Sequence, residues 1–231
     1  MGEEVSRSTA GGVGDYAGGV THKDDARQDG LFIAFEGGDG VGKSTQVELL
    51  AEHLRGQGRD VVVTREPGDS RIGPQVRSIV LDGGELDERA EALLFAADRA
   101  DHVAALIKPA LQRGAVVITD RYTDSSVAYQ GAGRALGTAE VAALSDFATQ
   151  GLRPHLTVLL DLDAAERRRR MLALGQFDRI EREPDQLHEN VRRAFLELAA
   201  SAPERYLVVD ATRPPEDIAT DVAAAVDKVM T

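Results

Sequence analysis

Residues 37–44 of the chain read Gly37-Gly38-Asp39-Gly40-Val41-Gly42-Lys43-Ser44. They fit the pattern G-x-x-x-x-G-K-[ST], in which the glycines let backbone N–H groups surround a phosphate. An apolar run over 31–35 comes before them, and apolar residues at Val47, Leu50 and Leu54 follow at helical spacing. A strand, a glycine loop and a helix start form an anion site, because the helix end adds partial positive charge. The segment therefore predicts a phosphate-binding P-loop rather than a chance glycine loop.

The same segment predicts ATP binding with Mg²⁺. Lys43 is expected to reach the β- and γ-phosphates as a catalytic residue, and the Ser44 hydroxyl is expected to ligate Mg²⁺. The residues expected to bind ATP are Gly37, Gly38, Asp39, Gly40, Val41, Gly42, Lys43, Ser44 and Thr45.

Composition narrows the classes of function. The 231 residues suit one large domain, and 39 acidic against 27 basic residues give a net charge of -12. That charge argues against a general binder of nucleic acid or membrane surfaces. The sequence has no cysteine, no apolar run near the ~20 residues of a membrane span, and no signal-peptide layout at its start. We therefore expect a cytoplasmic protein without a nucleic-acid or membrane partner.

The chain divides into a tail over 1–29 and a domain over 30–231. The first part is rich in Gly, Ser, Asp and Thr and is predicted to be disordered. In the second part, strands are predicted over 31–36, 60–64, 115–120, 156–161 and 206–210. Helices are predicted over 44–55, 73–81, 86–101, 102–113, 138–149, 164–173, 187–200 and 215–230, with Gly56 and Gly114 as left-handed residues at two helix ends. This alternation predicts an α/β fold, a doubly wound five-stranded parallel sheet flanked by helices.

Charged residues follow several predicted strands at their carboxyl ends, where ligands bind in such sheets. Asp120, after the third strand, is expected to hold the Mg²⁺ shell beside Ser44. Arg121 would then lie near the transferring phosphate, and Arg65 offers a second guanidinium for phosphate oxygens. One such residue alone would indicate a solvated loop, but several at one edge beside a P-loop indicate a phosphate site.

Two other segments offer groups for a nucleotide base. Phe95 and Arg99 are four residues apart on a predicted helix and so share a face. The ring can stack on a base while the guanidinium donates to an exocyclic oxygen, although Phe95 taken alone would suit a hydrophobic core. Ser126, Tyr129 and Gln130, together with Ser125, offer hydroxyl and amide groups for the base edge and the sugar.

An arginine-rich segment over about 167–182 is predicted to be a mobile lid. It contains Arg167-Arg168-Arg169-Arg170, then Gly175, then Asp178-Arg179-Ile180-Glu181. Lids near P-loops close over phosphates and supply charge to the transition state. An arginine run on its own is more often a solvated helix face, and we expect Arg167 to Arg169 mostly to face solvent.

Together these motifs resemble the thymidylate kinase (dTMP kinase) family of P-loop nucleoside monophosphate kinases. The resemblance runs from about Leu31 to the C-terminus. The motifs that carry it occur in family order, at 35–44, 64–68, 94–99, 120–131 and 178–181. It implies ATP-dependent phosphorylation of dTMP to dTDP in dTTP synthesis, with Mg²⁺, by a homodimer.

The resemblance also implies roles for residues around the acceptor. Asp39 would contact the 3′-hydroxyl of dTMP, and Arg65 and Arg121 would hold its phosphate. Arg121 is thereby a second candidate catalytic residue besides Lys43.

For the base and the sugar, the implied roles fall on five residues. Phe95 would stack on thymine, and Arg99 would bond its O4. Tyr129 would crowd the 2′ position and so favour deoxyribose, with Ser126 and Gln130 near the base edge.

Two departures from the family pattern concern the catalytic arginine and the acceptor loop. Because Gly40 and Val41 leave the P-loop without an arginine, the chain resembles members with a catalytic arginine in the lid. Leucine stands at 172 and 174, where such members often carry arginine, so Arg170 and Arg179 are the candidates. In the acceptor loop, Asp69 and the serine after it stand where the family usually has glycine and threonine.

Other functions stay open at this stage. One is a kinase for another, or a modified, deoxynucleoside monophosphate. The second is a nucleotide-binding or regulatory ATPase with no small acceptor, although the absence of an Asn-Lys-x-Asp motif counts against a GTPase.

Overall fold

The computed structural model of the chain describes residues 30–175 and 177–230. Five parallel strands form one sheet with the order β2-β3-β1-β4-β5. Their bounds are β1 Leu31–Glu36, β2 Val61–Arg65, β3 Val116–Asp120, β4 Leu156–Asp161 and β5 Tyr206–Asp210. The predicted doubly wound five-stranded α/β fold is confirmed. The predicted tail over 1–29 lies outside the described residues.

Helices flank both faces of this sheet. Their bounds are α1 Lys43–Gly56, α2 Gly73–Arg77, α3 Glu88–His102, α4 Lys108–Gln112, α5 Thr123–Ser126, α6 Thr138–Thr149, α7 Ala164–Leu174, α8 Asp185–Ser201 and α9 Pro215–Met230. Helices α2, α3 and α5 continue as π-helical turns over Ser78–Asp82, Val103–Ile107 and Val127–Gly133, and a 3₁₀ turn spans Pro203–Arg205.

Three local features differ from the sequence expectation. The chain stays helical through His102, where two separate helices are predicted, because the π-helical turn joins α3 to α4. Gly56 is the last residue of α1, and the left-handed conformation falls on Gly58 with φ 79°, whereas Gly114 has φ 83° as expected. The pattern also does not predict α5, since its small and polar residues have no apolar period.

The central strand β1 is buried along its whole length. Ile33 and Phe35 belong to the core that α1 and α9 cover, whereas Phe32 and Ala34 belong to the core beneath the α3–α4 layer. Burial on both faces explains why the sequence of this strand is continuously apolar.

Strand register brings the chemical groups to one edge of the sheet. Phe35 of β1 pairs with Asp120 of β3, and Asp120 pairs with Arg65 of β2. The P-loop leaves the same edge after β1, and the segment predicted as a lid follows β4 there. No helix in the described part of the chain is long and apolar enough to cross a bilayer.

Candidate active site

The P-loop depends on its glycines. Gly37, Gly40 and Gly42 have φ values of 133°, 77° and 97°. Residues that have a Cβ atom adopt such values only under strain. A Cβ on Gly40 would also lie 2.9 Å from the Met171 sulfur. Larger residues therefore cannot adopt, without strain, the backbone conformation that directs N–H groups at a phosphate.

Lys43 lies over this loop from the first turn of α1. Its Nζ donates to the carbonyl oxygens of Gly38, at 2.8 Å, and Gly37, at 3.3 Å. Burial and the neighbouring Arg121 lower the pKa of the ammonium group. The ammonium group is thus already placed at the predicted phosphate site.

Ser44 and Asp120 meet at the edge of the loop, as predicted for a metal site. The Ser44 hydroxyl donates to Oδ2 of Asp120 over 3.3 Å. Among the described residues, the buried Oδ1 of Asp120 has no hydrogen-bond partner. A hydroxyl and a carboxylate with a spare oxygen are the hard ligands that Mg²⁺ prefers, so these residues fit the ion.

Arg121 and Asp39 form an ion pair beside the P-loop. Nη1 of Arg121 also donates to the Gly37 carbonyl over 3.0 Å, and the Tyr129 hydroxyl donates to Asp39 over 2.9 Å. Burial by itself would raise the pKa of the Asp39 carboxyl, but Arg121 and Lys43 outweigh it and hold that pKa well below its usual range. The cluster is thus a fixed anion and cation side by side.

Arg99 is held by four acceptors in the interior. Its Nε donates to Glu66 over 2.7 Å, and Nη1 donates to Ser126 over 3.0 Å and to Ser145 over 3.4 Å. Nη2 donates to the Tyr122 carbonyl over 3.0 Å. The guanidinium is almost fully buried, so its direction is fixed before any ligand arrives.

A cavity of about 480 Å³ joins the P-loop to Arg99. Its lining includes every residue that the sequence assigned to the acceptor: Asp39, Arg65, Phe95, Arg99, Arg121, Ser126, Tyr129 and Gln130. Lys43, Ser44, Thr45 and Asp120 line the same cavity. Phe95 is half-buried and lines the cavity. The structure therefore brings the predicted metal and acceptor groups into one space.

Asp69 lies close to Arg65 on the acceptor loop. Its carboxylate is 3.4 Å from Nε of Arg65, which is exposed. The unusual carboxylate thus points at a residue expected to bind phosphate.

The two lid arginines proposed as catalytic lie elsewhere. Nε of Arg170 donates to Glu166 over 2.9 Å, and its Nη2 donates to the Ala211 carbonyl over 2.8 Å. Arg179 pairs with the buried Glu91 and donates from Nε to the Val80 carbonyl over 2.9 Å. Neither arginine lines the cavity that joins the P-loop to Arg99, so the structure does not place them beside the predicted acceptor residues. Their catalytic assignment stays a prediction.

Arg167 is the exception to the expectation that Arg167 to Arg169 mostly face solvent. It is only 9% exposed, its side chain lies against Gly38, and its Nη2 is 3.2 Å from Nε2 of His188. Arg168 and Arg169 are exposed, as expected. Arg167 is buried because α7 lies directly on the P-loop, a tertiary contact that a run of four arginines does not predict.

The sequence analysis did not predict the acidic partners of Arg99 and Arg179. Glu66 binds both Arg99 and the buried His102, and Glu91 binds Gln130 over 2.8 Å as well as Arg179. One signal was available, since Glu91 is four residues before Phe95 on α3 and so lies on the face of that helix that carries the base-site residues.

Comparisons with known proteins agree on one family. A family model described as thymidylate kinase matches residues 35–222. The chain is 61% identical to a thymidylate kinase of Clavibacter sepedonicus, over 84% of this chain and 93% of that protein. It is 56% identical to a thymidylate kinase of Leifsonia xyli subsp. xyli, over 86% and 95%. The crystal structure of thymidylate kinase from Ehrlichia chaffeensis matches with a TM-score of 0.71 and 31% identity, over 86% of this chain and 98% of that one.

Proposed function

The chain belongs to the thymidylate kinase family, and we propose that it transfers the γ-phosphoryl group of ATP to dTMP, giving ADP and dTDP for dTTP synthesis. One observation carries this proposal. Lys43, Ser44 and Asp120 share a cavity with the arginines, the half-buried ring of Phe95 and the fixed Arg99 guanidinium that together suit a pyrimidine monophosphate.

The reaction needs positioning and charge neutralisation more than proton transfer. A phosphate oxygen of dTMP, already ionised, attacks the γ-phosphorus while the bond to the β–γ bridging oxygen breaks, so no general base is required. Lys43 neutralises charge on the β- and γ-phosphates. Ser44 and Asp120 would hold Mg²⁺, which would add positive charge to neutralise the phosphates.

Arg121 is the arginine best placed to serve both substrates. It contacts the P-loop at Gly37, and it would exchange its present partner, Asp39, for the acceptor phosphate. Asp39 would then be released towards the 3′-hydroxyl of the sugar. Arg170 and Arg179 would each have to leave a present partner to act in the same way.

Base and sugar selectivity follow from Arg99 and Tyr129. Arg99 presents a donor, which suits the exocyclic oxygen of thymine, whereas cytosine has an amino group at that position. Two donors facing each other cost about 1–3 kcal/mol. Tyr129 is held by Asp39 and Arg121 and would crowd a 2′-hydroxyl.

The adenosine of ATP has a separate place to bind. A cavity of about 370 Å³ lies beyond Gly42 and Thr45, lined also by Arg170 and Pro214. It begins where the P-loop enters α1, so a nucleotide with its phosphates in the loop can extend into it.

A homodimer and a cytoplasmic location are further parts of the proposal. Phe147 on α6 is 85% exposed and Leu93 on α3 is 57% exposed, and both line one shallow apolar groove. A second copy of the chain would cover this groove in a two-fold pair. Sedimentation of the wild type as a dimer and of Phe147→Asp as a monomer is the expected result.

The activity is tested by thin-layer chromatography with labelled ATP and a panel of monophosphates. Label should pass to dTMP in preference to dCMP and to the ribonucleotide. Equal transfer to dTMP and dCMP would refute the role of Arg99, and hydrolysis of ATP without transfer to any acceptor would favour the regulatory ATPase.

A further inference from the structure

Glu36 is a buried carboxylate that the reaction outlined above does not use. It is the last residue of β1, directly before the P-loop, and it is fully inaccessible to solvent. It does not line the cavity that joins the P-loop to Arg99, so the proposed reaction gives it no contact with either substrate. A buried carboxylate is costly unless donors surround it, so its partners indicate what it does.

The hydrogen bonds of the Glu36 carboxylate go to the turn that carries Arg121. Oε1 accepts from the backbone N–H of Tyr122, at 2.9 Å, and of Ser125, at 3.2 Å. Oε2 accepts from the Ser125 hydroxyl at 2.6 Å. Helix α5 begins at Thr123, and Tyr122 before it provides no side-chain cap. Glu36, on a distant strand, accepts from the N–H groups of Tyr122 and Ser125 at this helix start.

Arg121 needs such support because its backbone is strained. Its φ is 70°, a left-handed conformation that costs a residue other than glycine on the order of 1 kcal/mol or more. Its own N–H donates to Phe35 over 2.9 Å, and its guanidinium donates to Gly37. Phe35 and Gly37, the neighbours of Glu36 in the chain, therefore hold Arg121 directly.

Ser125 links the carboxylate to the guanidinium. Nη1 of Arg121 donates to the Ser125 hydroxyl oxygen over 2.9 Å. Because an ionised carboxylate only accepts, the hydroxyl hydrogen must point at Glu36, which leaves the oxygen free to accept from Arg121. The direction of one hydrogen bond thus fixes the direction of the next.

We propose that Glu36 is a positioning residue for phosphoryl transfer, which holds Arg121 against the P-loop through Ser125 and the backbone of the 122–125 turn. This inference rests on the proposed kinase function. Burial and the nearby Asp124 raise the pKa of Glu36 to about 7, while the Ser125 hydrogen bond and Arg121 lower it, so these two contacts favour the ionised form against burial.

Glu36→Gln is the variant that isolates the link. The amide oxygen must take the place of Oε1, because two backbone N–H groups face it, so the amide nitrogen faces Ser125. The hydroxyl then receives a hydrogen bond from residue 36, and its own hydrogen has to turn away, towards Arg121. The shape and the backbone bonds are kept while the hydrogen bond between Ser125 and Arg121 is disturbed.

The experiment is a double-mutant cycle of Glu36→Gln and Ser125→Ala, with kcat and KM for both substrates and melting temperature. Each single change should lower kcat/KM for dTMP about 10- to 100-fold, as misplaced catalytic groups do, with KM for ATP nearly unchanged. In the Ser125→Ala background, Glu36→Gln should add little. Asp161→Asn, at the end of β4 and bound to Arg192, is the matched control and should behave as wild type.

The proposal would be overturned if folded Glu36→Gln had a kcat/KM for dTMP within twofold of wild type. It would also be overturned if the losses in kcat/KM from the two single changes simply multiplied in the double variant. If Glu36→Gln does not fold, Ser125→Ala tests the proposal by itself, because it keeps the Glu36 carboxylate and its backbone hydrogen bonds. Wild-type kinetics of Ser125→Ala would also overturn the proposal. Failure of the kinase proposal is distinct, because wild-type protein would then transfer no label to dTMP.

Discussion

The acceptor cavity and the lid segment differ in how their arginines are held. On the acceptor side, Arg99 pairs with the buried Glu66, Arg121 pairs with the partly exposed Asp39, and both arginines line one cavity. In the lid segment, Arg167, Arg170 and Arg179 point to three different places, at His188, Ala211 and Glu91. The first region already has both arginines at the cavity, and there only Arg121 has to exchange a partner, Asp39. The lid arginines do not line that cavity, so any lid role in catalysis requires movement as well as exchange of partners.

A preformed site can thus be recognised from residue types at fixed spacing. The hydrogen-bond and ion-pair partners of the lid arginines cannot be recognised in this way. Electrostatic catalysis works best when the charges are in place before the reaction. We therefore expect changes on the acceptor side and in the P-loop to affect turnover, and changes in the lid segment to affect ATP binding and stability.

The largest effect is expected for Lys43→Ala. Lys43 is the lysine of the P-loop, and loss of one charge-stabilising donor costs about 10²–10³-fold or more in kcat. The protein should still fold, because the change removes no large apolar side chain. Steady-state kinetics and circular dichroism measure both points, with Lys108→Ala as control, because Lys108 binds Gln150 and does not line the cavity. Near-normal turnover of Lys43→Ala would remove the basis of the kinase assignment.

A smaller effect is expected for Arg170→Ala. The guanidinium lies at the cavity proposed for adenosine, so its loss should raise KM for ATP about 10-fold, the size of one charge-assisted hydrogen bond, and change kcat less. Arg169→Ala, on an exposed arginine of the same helix, is the control. The opposite split, with kcat reduced and KM unchanged, would show that Arg170 acts in the transition state and that the lid resembles the acceptor side after all.

Glu91 allows the lid contact to be measured through stability and pH. Burial would raise the pKa of Glu91, but hydrogen bonds from Arg179 and Gln130 outweigh it and hold that pKa below its usual value. A lowered pKa means that the ionised group stabilises the fold above its unfolded pKa, and that this stabilisation is lost as pH falls through the folded pKa.

Glu91→Gln should therefore lower the free energy of unfolding at pH 7 by about 1–3 kcal/mol, with a difference from wild type that shrinks below about pH 4. Urea unfolding across pH measures this, with the exposed Glu85→Gln as control. A difference that is constant down to pH 3 would contradict an ionised Glu91 as the anchor of Arg179.

The smallest effect is expected for Asp69→Gly. The Asp69 carboxylate competes with the acceptor phosphate for Arg65, but the pair is exposed and such pairs contribute about 0–1 kcal/mol. KM for dTMP should fall by up to about fivefold, more at low ionic strength than at high. Asp60→Gly, which breaks an exposed pair with Arg113 far from the cavity, should leave KM unchanged. An increase in KM would mean that Asp69 orients Arg65 instead.

The fold class, the P-loop and the residues that line the cavity beside it could all be predicted from the amino-acid order. Each depends on local order: a strand buried on both faces requires an apolar run, and a phosphate loop needs glycines at fixed positions. The carboxyl ends of parallel strands meet at one edge of the sheet, so the residues after each strand collect there. Phe95 and Arg99 could be placed together because four residues make about one helical turn.

The distant groups that hold those residues in place became known from the tertiary structure alone. Glu36 meets Ser125 across 89 positions, Glu91 meets Arg179 across 88, and Arg167 is buried because α7 lies on the P-loop. Periodicity states which face of a helix a residue occupies but not what covers that face. The sequence therefore predicted which residues line the cavity, and the fold determined which partners hold their charges.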